Sequence, residues 1–225
     1  MKEYKSSIAK RFEDDYFEDR VGNDPKRLKQ FDLDGNFIRN FVKHGRVCDV
    51  GCSSGEFLQH INFEGELYGM EVSDTAKELA KDIISFDKNI FTEENFFDLI
   101  IFRGTIQHVD EPFRMIKQSL QALKPGGHLV FIATPNSNSP YYKINKTLPF
   151  LDAPLNFYIP ADHELKNALE NFGFEHICIE YPYIETPYKK IIPDHLKFLI
   201  NYFFRIKSNY PFWKSMMNIS CKKPL

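Results

Sequence analysis

The chain has 225 residues, 43% hydrophobic and 27% charged, which suits one globular domain with a full core and at most a small appendage. Its formal net charge of -2 argues against a general nucleic-acid binder, which would carry a basic excess. The four cysteines (Cys48, Cys52, Cys178, Cys221) form no C-x-x-C pair and have no histidine cluster beside them, so they read as reduced, mostly buried thiols rather than metal ligands.

The first twenty residues contain no apolar run and do not read as a secretory signal. Residues Pro25 to Val42 mix apolar and charged side chains at helical spacing, with Asp24 placed to cap the helix. A short strand, Arg46 to Val50, leads into a glycine-containing turn and a helix start at Glu56 to His60. A second strand spans Leu67 to Val72, and a helix capped by Ser73 or Asp74 runs to Ile83. Phe97 to Phe102 is the clearest buried strand. Pro112 to Leu123 is an amphipathic helix broken by Pro125, Gly126 and Gly127, and His128 to Ala133 is the next strand. This alternation implies a mainly parallel sheet covered on both faces. Pro135 to Pro160 lacks periodicity and has the length of a lid or binding loop. A helix from Asp162 to Phe172, a turn at Gly173, a strand to Glu180, an aromatic helix around His195 to Ile206 and a strand at Met217 to Cys221 complete the chain. The apolar stretch Leu196 to Ile206 is too short to span a bilayer and is broken by Asn201 and Arg205, so a cytoplasmic protein is expected.

Gly51-Cys52-Ser53-Ser54-Gly55 fits two chemistries. As G-x-S-x-G it is a nucleophile elbow, with His163, His176 or His195 open as the base. As a binding turn it uses Gly51 for the tight bend and Gly55 for close approach, and it gives Glu71, twenty residues beyond Gly51, a ribose to hold. The elbow reading leaves Asp49 and Glu71 unused and places the elbow after the first strand of the sheet. The binding reading uses both acids and makes Ser53 a lining residue. An NAD site is disfavoured because G-x-G-x-x-G is absent.

The loop "DVGCSSGEF" resembles motif I (D-x-G-x-G-x-G) of class I S-adenosylmethionine-dependent methyltransferases, with Ser53 at the middle glycine. "YGMEVS", "FFDLIIFRGTIQHVDEP", "LKPGGHLVFIATPN" and the ending "PFWKSMMNISCKKP" are similar to later elements of the same family, in the correct order. The nearest groups are the ubiquinone-biosynthesis-like and bacterial sugar or capsule enzymes. The resemblance implies an α/β, Rossmann-like fold: a seven-stranded, mostly parallel sheet with a reversed edge strand and helices on both faces. It divides the single domain into an N-terminal helical extension (1–44), a cofactor-binding core (45–134), a substrate lid (135–160) and the remainder of the sheet and helices (161–225).

The cofactor so implied is S-adenosyl-L-methionine. Asp49 would anchor its ammonium, with Gly51, Cys52, Ser53 and Gly55 lining the loop. Glu71, with Val72 beside it, would hold the ribose. Ser85 or Phe86 would flank the adenine, as Asp87 also would, and Arg103 and Gly104 would meet the methionine end. His108 reads either as a general base for a hydroxyl proton or as a structural histidine at a helix entry. Tyr141, Tyr142, Lys143 and Lys146 are candidates for the acceptor, expected to be a small polar metabolite methylated on oxygen, or less favourably on nitrogen. Tyr16 and Phe17 are candidates for closing over the cofactor. The aromatic helix with Phe198, Tyr202, Phe203 and Phe204 reads as core or as a homodimer surface. The rival functions are an NAD-dependent oxidoreductase, a serine hydrolase and a non-catalytic S-adenosylmethionine-binding protein.

Overall fold

The strand Phe97–Arg103 explains the layout of the whole domain. Leu99, Ile100, Ile101 and Phe102 are all fully buried, as a strand covered on both faces requires. Successive side chains leave a strand on opposite faces, so Leu99 and Ile101 enter one core while Ile100 and Phe102 enter the other. The computed structural model describes residues 24–148, 151, 157–204 and 214–225, and the pairs Tyr16/Phe17 and Phe198/Tyr202 fall outside the residues or side chains described.

In chain order the elements are α1 (Pro25–Arg39), β1 (His44–Val50), α2 (Glu56–His60), β2 (Glu64–Met70), α3 (Asp74–Ala80), β3 (Phe97–Arg103), a 3-10 turn (Ile106–His108) and α4 (Pro112–Ala122). They continue with β4 (Leu123–Pro135), α5 (Pro140–Asn145), α6 (Asp162–Phe172), β5 (Glu175–Glu180), α7 (Ile191–Phe204) and β6 (Met216–Lys222). The expected caps form: Asp24 accepts from Lys26 N at 2.9 Å, and Ser73 Oγ accepts from Ala76 N at 3.2 Å.

The sheet order is β2-β1-β3-β4-β6-β5. The pairs β1–β2, β1–β3 and β3–β4 are parallel, whereas β6 runs antiparallel between β4 and the outer strand β5. Phe31, Phe37 and Ile38 of α1 and Phe57 and Leu58 of α2 cover one face. Met115 and Ile116 of α4 and Leu165 and Leu169 of α6 cover the other. This is the Rossmann-like arrangement expected, with two corrections.

Six strands form among the described residues, not seven. Where a further strand would join β2, Ser85 makes only an isolated parallel bridge to Tyr68. Its carbonyl accepts from Gly69 N at 3.0 Å and its N donates to Leu67 O at 2.9 Å, after which the chain leaves the ladder. The other correction concerns β4, which begins at Leu123 rather than His128. Leu123 pairs with Phe97 across a register shift, so the "KPGG" segment lies within the strand.

At its far end β4 bulges where Ala133 takes a left-handed φ of 52° and donates its N–H to Asn218 Oδ1 at 3.0 Å. A bulge bends the strand that carries it. This one turns the chain into the segment expected to form the lid, which contains α5, capped by Ser139 Oγ accepting from Tyr142 N at 3.2 Å. The lid base is closed by Ser137 N to Pro160 O (2.9 Å) and Asn136 N to Ser215 O (2.9 Å).

Candidate cofactor and acceptor site

The carboxyl ends of β2, β1 and β3 lie side by side and bring together Glu71, Asp49 and Gly104 with the loop between β1 and α2. Gly51 N donates to Met70 O at 2.7 Å, tying this loop to the end of β2. Gly51 has φ 79°, and a Cβ on it would sit 2.6 Å from Thr105 Oγ1, so both conformation and space demand glycine.

Ser53, at the departure from the family motif, also has a left-handed backbone, φ 53°. That conformation costs a non-glycine residue on the order of 1 kcal/mol. It turns the Ser53 N–H onto Glu71 Oε2 at 2.9 Å. Glu71 Oε1 accepts from Val72 N at 2.7 Å and Ser73 N at 3.0 Å. Three backbone donors therefore hold this carboxylate at the end of β2, and Ser53 serves the loop through its main chain.

Asp49 is 3% exposed, and its Oδ1 has no hydrogen-bond partner among the described residues. Burial raises its pKa to about 7, with Arg103 opposing the rise and Glu71 adding to it. A buried, unpaired carboxylate oxygen of this kind suits an ammonium group. Gly104 has φ 63°, and nothing lies within 4 Å of where a Cβ would stand, so room is kept just past the end of β3. The buried acid, the held Glu71 and this open glycine fit the ammonium, ribose and methionine chain of S-adenosylmethionine in turn. Cys52 is buried against Gly69 and Gly55 against Ile84, which lets the loop lie close to the sheet.

The remaining expected residues are placed as follows. Arg103 is engaged by its own chain through Nε. Its Nε donates to Asp34 Oδ2 at 2.8 Å, and its guanidinium lies 4.6 Å from the Phe31 ring and 4.9 Å from the Phe57 ring. Asp34 is 1% exposed, and burial raises its pKa against the pull of Arg103 and Gln30. Thr186 Oγ1 donates to Gln30 Oε1 (2.9 Å), and Gln30 Nε2 donates to Asp34 Oδ1 (2.8 Å), so this chain of contacts joins the C-terminal segment to α1 and β3. Val72 is exposed, and Ser85 Oγ is bonded to Asp87 in an exposed turn. Phe86 packs against the α1-side core.

His108 stands on the 3-10 turn after β3, its Nε2 3.3 Å from Gln107 Nε2. Gln107 also donates to Gly104 O at 2.8 Å, while its own carbonyl accepts from Phe157 N of the lid at 2.8 Å. In the lid Tyr141 is fully buried and packs with Leu148, Tyr142 and Tyr183, fixing α5 in place. Lys143 and Lys146 are exposed.

Three groups escaped the sequence reading. Asp34 had a signal: it lies with Phe31 and Ile38 at i, i+3 and i+7 on the buried stripe of α1, and an acid there needs a partner. Gln107 and the cluster around Asp162 had none. Asp162, 8% exposed, accepts from Tyr181 Oη (2.6 Å), Asn138 Nδ2 (2.7 Å) and Asn136 Nδ2 (3.2 Å). Burial alone would raise its pKa, but these bonds and one from His163 N hold it well below the usual carboxylate range.

Comparison with known proteins fits this geometry. A family model described as a methyltransferase domain matches residues 26–179. The chain belongs to the class I S-adenosylmethionine-dependent methyltransferase family. A ubiquinone biosynthesis O-methyltransferase of Coxiella burnetii is 32% identical over 113 residues, covering 45% of this chain and 48% of that protein. A carboxy-S-adenosyl-L-methionine synthase of Campylobacter jejuni is 29% identical over 149 residues, covering 56% of this chain and 63% of the relative. The chain thus spans about half the length of the first curated relatives it matches, at 50% and 48%. A methyltransferase structure from Archaeoglobus fulgidus superposes with a TM-score of 0.59 over 86% of this chain and 94% of that one, at 19% identity, which shows a shared fold. Among the described residues no helix is long and apolar enough to cross a membrane, and no group of three or more His, Cys, Asp or Glu side chains is arranged to hold a metal ion.

Proposed function

We propose that this methyltransferase transfers the methyl group of S-adenosylmethionine to an oxygen of a small polar metabolite, a sugar or a phosphorylated compound being the favoured class. The observation that carries the reading is the convergence of Asp49, with its unpartnered buried oxygen, Glu71, held by three backbone donors, and the open Gly104. The ubiquinone O-methyltransferases among the relatives support oxygen as the methylated atom.

The cofactor supplies a methyl group on an electron-poor sulfonium; the protein's task is chiefly positioning and exclusion of water. Asp49 would pair with the ammonium and Glu71 would accept from the ribose hydroxyls, with Arg103 keeping α1 against the β3 end. The lid, anchored to Gln107, would cover the acceptor. His108 is the candidate proton acceptor: taking a hydroxyl proton on Nε2 would exchange its long contact with Gln107 for one with the acceptor.

Calorimetric titration of S-adenosylmethionine, with NAD as control, tests the cofactor half. Wild type is expected to bind S-adenosylmethionine and not NAD, and Glu71→Ala to lose roughly 1.5–3 kcal/mol of binding. Failure of the folded wild type to bind S-adenosylmethionine defeats the reading. Once an acceptor is in hand, His108→Gln separates the two roles of the histidine. Loss of a proton acceptor costs roughly 100- to 10,000-fold in kcat. A change confined to KM assigns His108 to the lining.

A further inference from the structure

A surface helix normally turns its apolar stripe to the core and its charges to water. Helix α7 inverts this. Its acid, Asp194, is 2% exposed and accepts from Tyr183 Oη at 3.0 Å and Lys190 N at 2.9 Å. Ile192, Leu196, Leu199 and Phe203, at i, i+4, i+7 and i+11, are 73, 55, 55 and 75% exposed. At 3.6 residues per turn these four fall within an arc of about 60°, on the side away from Asp194. Of the two expectations for this aromatic helix, core or homodimer surface, the core one does not hold for Phe203 and Phe204, which are 75 and 73% exposed. On α5, which packs against α7, Ile144 is exposed as well. Single exposed apolar residues are ordinary, but a contiguous patch marks an interaction site.

The charges on the segments that carry this face point to what it meets. Segments 140–148 and 184–204 carry five lysines (Lys143, Lys146, Lys189, Lys190, Lys197), all exposed, against Glu185 and the buried Asp194, in a chain whose net charge is -2. We propose that the α7–α5 face seats the protein on an anionic lipid bilayer. α7 would lie in the plane of the interface, its apolar stripe among the upper acyl chains and the lysines at the headgroups. At 14 residues α7 is too short to span the bilayer, and the arrangement is that of a helix lying on the surface. A second copy of the chain is the poorer occupant, because two-fold pairing would set the same lysine-rich surface against itself. An anionic headgroup layer satisfies both the stripe and the basic balance of the segments that carry it. The proposal rests on this surface alone and is independent of the methyl-transfer reading. It places the lid, which contains α5, at the lipid.

The test is co-sedimentation of the full chain with vesicles of phosphatidylcholine alone and of phosphatidylcholine mixed with phosphatidylserine, at low and high salt. Wild type is expected to bind the mixed vesicles and to be released by salt. Leu196→Ser/Leu199→Ser is expected to lower the partition coefficient roughly tenfold or more while keeping the wild-type circular dichroism and melting temperature, since both leucines are exposed. Lys189→Glu/Lys197→Glu, which leaves the apolar stripe intact, is expected to abolish the preference for phosphatidylserine. The proposal is overturned if wild type binds neither vesicle, or if the folded leucine variant binds as wild type does. It is equally overturned if sedimentation velocity shows a wild-type dimer that the leucine variant converts to monomer, which would assign the face to a second copy.

Discussion

The loop proposed to hold the cofactor and the segment proposed to cover the acceptor, called below the cofactor wall and the lid wall, hold their carboxylates by different means. On the cofactor wall Glu71 accepts from three main-chain N–H groups, those of Ser53, Val72 and Ser73. On the lid wall Asp162 is held chiefly by the side chains of Tyr181, Asn138 and Asn136, with one main-chain donor, His163 N. A main-chain donor is present whatever residue occupies the position, so the cofactor wall needs only a backbone path, which left-handed Gly51, Ser53 and Gly55 supply. A side-chain donor works only with the right residue at the right place, and Tyr181 lies 19 residues from its partner. The cofactor wall is therefore a property of loop geometry, and the lid wall of particular residue identities.

The strongest challenge to that division is Arg103, a side-chain anchor on the cofactor wall. Its partner Asp34 is buried, and removing one member of a buried ion pair leaves the other charge uncompensated. Arg103→Ala is expected to cost about 3–5 kcal/mol in denaturant unfolding at neutral pH. Arg103→Ala combined with Asp34→Asn should recover part of that loss, because the stranded charge is gone. A loss under about 1 kcal/mol for the single variant would mean that Arg103 is held loosely and is open to the cofactor after all.

A smaller effect is expected at the lid. Asp162→Ala leaves the Tyr181 hydroxyl and two asparagine amides without their acceptor, at a cost of about 2–3 kcal/mol. Because the Asp162 pKa is depressed, its stabilisation is present above the unfolded value of 3.8 and is lost only as pH falls through its lower folded value. Affinity for S-adenosylmethionine should be unchanged in this variant, as judged by calorimetry. A parallel loss of affinity would show that the two walls are one cooperative unit.

The same division governs how much was legible in the sequence. β3 and β4 announced themselves because strands buried on both faces read as unbroken apolar runs, and the loop glycines mark bends that other residues resist. Asp49 and Glu71 stood out as acids at strand ends. The missing strand beside β2 was not legible, because a single bridge at Ser85 leaves no pattern different from that of a short edge strand. Arg103 was expected at the cofactor, yet its partner lies 69 residues earlier in the chain, beyond the reach of any local period. Tyr141 was named for the acceptor on composition, but a tyrosine in a lid serves packing equally well, and here it is fully buried.

The finest test concerns Asp49, whose Oδ1 has no donor among the described residues. Burial raises its pKa from 3.8 to about 7 in the cofactor-free protein. A raised folded value means that its contribution to stability is fully present below the unfolded pKa and is lost as pH rises through about 7. An ammonium placed against it favours the ionised form, so cofactor binding should release a proton below that pH. Affinity for S-adenosylmethionine is then expected to rise roughly tenfold between about pH 6 and about pH 8 and to level off above. Asp49→Asn, which keeps the shape and removes the titration, should bind more weakly with a flat profile over this range. Calorimetry in two buffers of different ionisation enthalpy would count the proton directly. A flat wild-type profile with no proton released would mean that Asp49 is already ionised and satisfied before the cofactor arrives, and the unpartnered oxygen would lose its role as the ammonium anchor.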